Sequence, residues 1–117
     1  MIKRNIIAEK SFDFALEIID LYILLSKENE YIISKQVLKS GTSIGANVEE
    51  SIAAQSSKDF VSKLSIAAKE ARETRYWLKL LNKSKLTEIN VDNHLKDIEE
   101  IIKILTKIIK TTQSKNL

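Results

Sequence analysis

Ser40-Gly41-Thr42-Ser43-Ile44-Gly45-Ala46-Asn47 holds both glycines of a 117-residue chain that has no proline. Neither flank reads as a loop. Ile33, Val37, Ile44, Val48 and Ile52 keep spacings of four, seven, four and four across the segment, so a helical period runs through the glycines. A glycine inside a helix costs about 0.5–1 kcal/mol relative to alanine. Gly41 and Gly45 share one helix face with Ser40, Thr42 and Ala46 beside them, and so small a face lets another backbone come close. The pattern fits close packing of neighbouring helices, or a subunit seam or ligand groove.

Outward from this segment, the missing prolines and scarce glycines leave few breaks, and periodicity divides the chain into four helices, about 5–28, 34–54, 57–82 and 91–110. The polar cluster Ser26-Lys27-Glu28-Asn29-Glu30 ends the first. Ser56 or Ser57 caps the third, and Ser56 with Asp59 resembles a capping box. Thr87 or Asn90 caps the fourth, and Thr111 to Leu117 reads as a frayed polar tail. The third helix carries Phe60, Leu64, Ala67, Ala71, Thr74, Leu78 and Leu81 at alternating spacings of four and three, a seam suited to a bundle. An all-α fold follows: one domain, 1–117, as an antiparallel up-and-down four-helix bundle.

Composition narrows the setting. The chain has no cysteine, which rules out a disulfide framework and thiolate metal sites and fits a reducing, cytoplasmic location. Met1-Ile2-Lys3-Arg4-Asn5 lacks the apolar run of a signal peptide, and the longest apolar run, Leu21 to Leu25, is far too short to span a bilayer. A net charge of +3 permits nucleic-acid binding without arguing for it.

Catalysis has little support. The one histidine, His94, follows Val91 by three residues, so the Glu-x-x-His pair of di-iron bundles cannot form, and a solvated side chain at a helix start is expected. Glu70 and Glu73 share a helix face as paired acid/base groups do, but Lys69, Arg72 and Arg75 surround them in sequence and ion pairing is expected instead. No phosphate-cradling loop exists, because neither glycine precedes the Lys-Ser/Thr of a P-loop. The expectation is a non-enzymatic protein without metal or cofactor.

Two helices look too apolar for an isolated bundle. On helix four, Leu95, Ile98, Ile102, Leu105 and Ile109 form the core seam, and Ile101, Ile104 and Ile108 widen it to roughly 180° of arc. On helix one, Ile7, Phe14, Ile18, Leu21 and Leu25 make a seam, while Phe12, Leu16, Ile19 and Ile23 occupy a second face. Exposed apolar side chains gathered in one patch usually mark an interface. Self-association is expected, with Ile101, Ile104 and Ile108 at the oligomer interface; the alternative is a thicker core than the wheel implies.

A binding function falls on the third helix. Lys69, Arg72, Tyr76, Lys79 and Lys83 follow i, i+3, i+7, i+10 and i+14, a single stripe with Arg75 at its edge. Cations one helical turn apart can meet successive phosphates, and an interleaved aromatic can stack on an unpaired base. The same stripe also reads as a solvated face. Trp77 points elsewhere and is expected in a core or interface pocket.

The run Ser40-Gly41-Thr42-Ser43-Ile44-Gly45-Ala46-Asn47-Val48-Glu49-Glu50 resembles the signature of a bacterial four-helix-bundle family first noticed inside intervening sequences of large-subunit ribosomal RNA genes and often labelled a ribosomal protein family. Gln55-Ser56, Lys58-Asp59-Phe60, Lys63-Leu64, Ile66-Ala67, Lys69-Glu70-Ala71-Arg72-Glu73-Thr74, Tyr76-Trp77-Leu78 and Leu80-Leu81 match as well, so the likeness is strong over about residues 31–81. The resemblance implies a barrel-shaped homopentamer without established enzymatic activity. A similar protein, the accessory factor of diversity-generating retroelements, binds nucleic acid and a reverse transcriptase through a basic surface.

Two functions are therefore expected in competition. One is an oligomeric nucleic-acid-binding protein, RNA-preferring, using Lys69, Arg72, Arg75, Tyr76, Lys79 and Lys83. The other is a scaffold or accessory subunit whose small-residue groove and apolar faces receive a protein partner such as a reverse transcriptase.

Overall fold

Asn5 opens the first helix: its side chain accepts the Ala8 N–H at 3.0 Å, satisfying one of the free donors of the first turn. In the computed structural model, which describes residues 5–115, four helices follow: α1 (Ile6–Lys27), α2 (Ile33–Ile52), α3 (Ser57–Lys83) and α4 (Asp92–Lys115). No strand occurs among the described residues. Most of the basic stretch Met1–Asn5 and the last two residues of the expected tail lie outside them.

The turns show why each helix stops where it does. After α1, Asn29 takes the left-handed conformation at φ 63°. The Glu30 N–H then reaches the Leu25 carbonyl at 3.0 Å and the Asn29 N–H the Ser26 carbonyl at 3.0 Å, which closes the helix as a Schellman turn. The Glu30 carboxylate also accepts the N–H groups of Ile33 at 2.9 Å and Ser34 at 2.7 Å, so one residue ends α1 and caps α2. Ser56 caps α3, accepting the Asp59 N–H at 3.0 Å, and Asn90 accepts the Asp92 N–H at 2.8 Å before α4.

Each helix packs on two neighbours in the cyclic order α1, α2, α3, α4, with no diagonal contact among the described residues. Gly41 faces Ile18 and Gly45 faces Ser11 between α1 and α2. Glu50 reaches Lys63 and Ser40 reaches Thr74 between α2 and α3, and Arg75 reaches Glu99 between α3 and α4. Lys10 reaches Glu100 and Glu28 reaches Thr87 between α1 and α4. Each of these pairs runs in opposite chain directions, the arrangement of an antiparallel four-helix bundle.

The core follows the expected seams of α1 and α3 closely: Ile7, Phe14, Ile18, Leu21 and Leu25 are buried, as are Leu64, Ala67, Ala71, Thr74, Leu78 and Leu81. In α2, Val37, Ile44 and Val48 are buried, while Ile52 at the helix end is exposed. Two expectations for α4 are corrected. The helix does not stop at Lys110; Thr111 to Lys115 continue it, because α3 still runs alongside and Gln113 lies with Ser57, Lys58 and Val61 around one cavity. Ile101 is only 2% exposed and belongs to the core, because α1 covers that side of α4 as α3 covers the other. Ile104 and Ile108 are half-buried against the same core. The wide apolar arc of α4 is thus largely filled within one chain. The second face of α1 is not: Phe12, Leu16, Ile19 and Ile23 are exposed, Phe12 to 63%.

Candidate nucleic-acid interface

Lys69, Arg72, Tyr76, Lys79 and Lys83 all stand exposed along α3, the last two turns of which are held by Leu78 and Leu81 in the core. No carboxylate pairs with Lys69, Arg72, Lys79 or Lys83 among the described residues; the ion pairs there are Lys10–Glu100, Lys63–Glu50 and Arg75–Glu99. Arg72 Nη1 donates to the Ala68 carbonyl at 3.4 Å, which lays its stem along the helix and leaves the guanidinium at the surface.

Arg75 departs from expectation. Its Nη1 sits 3.0 Å from Glu99 Oε1, with only 29% of the side chain exposed, so it ties α3 to α4 and is committed before any ligand arrives. The expected ion pairing of Glu70 and Glu73, within their own helix or to another, does not occur among the described residues. Glu73 instead accepts the Trp77 Nε1–H at 3.2 Å. Trp77 is half-buried against the core, as expected of it, and meets Tyr76 edge-to-face with ring centroids 5.1 Å apart. That contact supports the Tyr76 ring while leaving it 56% exposed.

The glycine segment separates into two roles. A Cβ on Gly41 would stand 2.9 Å from Ile18 Cγ2, so α1 and α2 meet there without room for a methyl group. At Gly45 the nearest atom would be the Ser11 carbonyl oxygen at 3.4 Å, an ordinary contact. The neighbouring Ser40 hydroxyl is buried, donates to the Gln36 carbonyl at 2.9 Å and lies 2.9 Å from Thr74 Oγ1, which joins α2 to α3. This side of α2 is therefore interior packing, and no groove opens on it.

His94 is likewise not a solvated residue. It is half-buried between α4 and α1, its Nδ1 is buried without a partner, and burial lowers its pKa below the usual 6.5 against the opposing pull of Asp97 and the Glu17 backbone. Beside it, Lys10, Asp13, Phe14, Glu17, Asp97, Glu100 and Ile101 line a cavity of about 120 Å³. Desolvation, then the Asp97 carboxyl, raises the Glu17 pKa above 4.5. No group of three potential metal ligands occurs among the described residues, and no helix there is long and apolar enough to cross a membrane.

Residues 3–107 match the family described as 23S rRNA-intervening sequence protein. The chain belongs to that family. A solved structure similar to it is a protein of unknown function from the S23 ribosomal protein family of Bacteroides thetaiotaomicron VPI-5482. The two share 46% sequence identity and superpose with a TM-score of 0.83 over 91% of this chain and 96% of that one. No curated protein matches. For the intervening-sequence family, the likeness extends the helix-two and helix-three signature seen in the sequence to nearly the whole bundle.

Proposed function

We propose that this protein is a non-enzymatic homo-oligomer that binds nucleic acid, preferentially RNA, through the phosphate backbone. The observation that carries the reading is the α3 stripe: four exposed cations free of carboxylates among the described residues, spaced one or two turns apart around an exposed, braced tyrosine. Cations already neutralised inside the bundle would release few counterions on binding; unpaired ones release about one each per phosphate met. Tyr76 offers a ring face for an unpaired base.

Self-association enters because four cations on one small subunit give weak binding. A closed ring repeats the stripe and lets several copies act on one strand. The exposed face of α1, with Phe12, Leu16, Ile19 and Ile23 one turn apart, supports that assembly, and the family resemblance selects five subunits. The setting is cytoplasmic in this reading.

Binding of labelled RNA to the Arg72→Gln/Lys79→Gln variant tests the site. Affinity should fall for all sequences alike, because phosphates carry no sequence information. Tyr76→Ala should weaken single strands more than duplexes. Unchanged binding by the double variant, with assembly intact by light scattering, would favour a protein-binding scaffold that receives a partner such as a reverse transcriptase.

A further inference from the structure

We infer that the nucleic-acid face is two helices wide: α4 supplies a second row of phosphate contacts beside α3, and the ligand is a paired RNA stem. The inference rests on the reading of α3 given above and names the ligand class of that same surface.

Lys96, Lys103, Lys107 and Lys110 are all exposed, and none pairs with a carboxylate among the described residues. At 100° per residue they occupy about 60° of α4. Glu99 borders that arc and bonds Arg75, while Gln113 borders the same cavity as Ser57, Lys58 and Val61. Glu100, which pairs with Lys10 of α1, borders the other edge of the arc, so the lysine row faces outward from the bundle, with its Lys103 and Lys110 edge toward α3. On α3, the row Lys69, Arg72, Lys79 and Lys83 occupies about 80° of arc and is bordered by the same Arg75 and Val61, so it stands on the α4 side.

The contacts also set the register. Residue 75 meets residue 99, and Val61 lies beside Gln113, so Arg72 stands about level with Lys103 and Lys79 about level with Lys96. From 69 to 83 and from 96 to 110, each row is about 21 Å long. The two helix axes pack about 8–10 Å apart. Between the rows, Glu99 is neutralised by Arg75; Asp92 stands at the end of the α4 row, one turn before Lys96.

Two adjacent rows of unpaired cations match the two phosphate backbones of a duplex better than one strand, which can follow a single row. A face two helices wide is too broad for the ~12 Å major groove of B-form DNA, which admits one helix. The minor groove of A-form RNA is wide and shallow, with phosphates along both margins. Tyr76 then takes an unpaired base beside the stem.

The full-length protein, its Lys103→Gln/Lys107→Gln variant and its Arg72→Gln/Lys79→Gln variant would be titrated with an RNA stem-loop, an unstructured RNA strand and a DNA duplex at several salt concentrations. All four substitutions are at exposed positions and leave the core untouched. The α4 variant should bind the stem-loop roughly tenfold more weakly, with a salt slope flatter by about two, and the single strand within about twofold of the parent. The α3 variant should lose affinity for both RNAs. Full stem-loop affinity in the α4 variant, with loss in the α3 variant, would overturn the second row while leaving the α3 site standing. Equal losses for stem-loop and single strand in the α4 variant, or equal binding of the DNA duplex by the parent, would overturn the assignment to an RNA stem. No effect of either variant would remove the nucleic-acid reading itself.

Discussion

Gly41 and Gly45 sit four residues apart on one face, yet they meet different kinds of atom. Opposite Gly41 is Ile18, fully buried and branched at Cβ, which cannot swing away from an added methyl at 2.9 Å. Gly41→Ala should therefore lower stability by about 1–3 kcal/mol in denaturant unfolding. Gly45→Ala meets the Ser11 carbonyl at an ordinary 3.4 Å and should be neutral, or stabilise by up to about 1 kcal/mol through helix propensity. Gly45→Leu should overpack. The reverse order for the two alanine variants would mean that α1 and α2 meet closest at Ser11. A small face was legible in the sequence from spacing alone. Which glycine is indispensable was not, because that depends on whether a side chain or a backbone lies opposite. The same limit explains Arg75: its place in the stripe follows from spacing, but its commitment to Glu99 follows from the neighbouring helix.

Between elements, the least expected features are the junctions. The apolar period revealed four helices, whereas the Glu30 clamp on the α2 N-terminus depends on how the chain turns at Asn29. Glu30→Ala frees the N–H groups of Ile33 and Ser34 and should cost about 0.5–2 kcal/mol, read as a lower melting temperature. The seam between α1 and α4 should make stability depend on pH in two opposed ways. Burial holds His94 below its usual 6.5, so the stabilisation from a neutral imidazole is present above pH 6.5 and lost as pH falls through the lowered folded value. Glu17 is raised, so its contribution is present below pH 4.5 and lost as pH rises through the raised folded value. A melting-temperature series should show the His94 loss disappear in His94→Gln. Glu17→Gln should melt higher than the parent at neutral pH and alike near pH 4. A Glu17→Gln variant that melts lower at neutral pH would contradict the crowding of carboxylates around that residue.

For the whole molecule, the question is which apolar surface remains once the bundle is complete. The hydrophobic wheel pointed to α1 and α4 together, but it cannot show how much of a wide arc the two neighbouring helices consume. In α4 they consume most of it, and in α1 the Phe12–Ile23 face stays open. Leu16→Lys should accordingly shift a mass well above 13.3 kDa toward the monomer in light scattering, with the helical content retained. Ile101→Asp should instead unfold the chain, since it places a charge in the core. In the proposed function, assembly would matter because it would multiply the basic face. The most direct test of the account is the affinity of the assembled parent protein for RNA as a function of salt. A log–log slope steeply negative, with several phosphates engaged per assembly, is predicted; at about 0.7–0.9 per phosphate contact, four contacts give a slope near −3. A slope near zero, or no measurable binding at low salt, would contradict it.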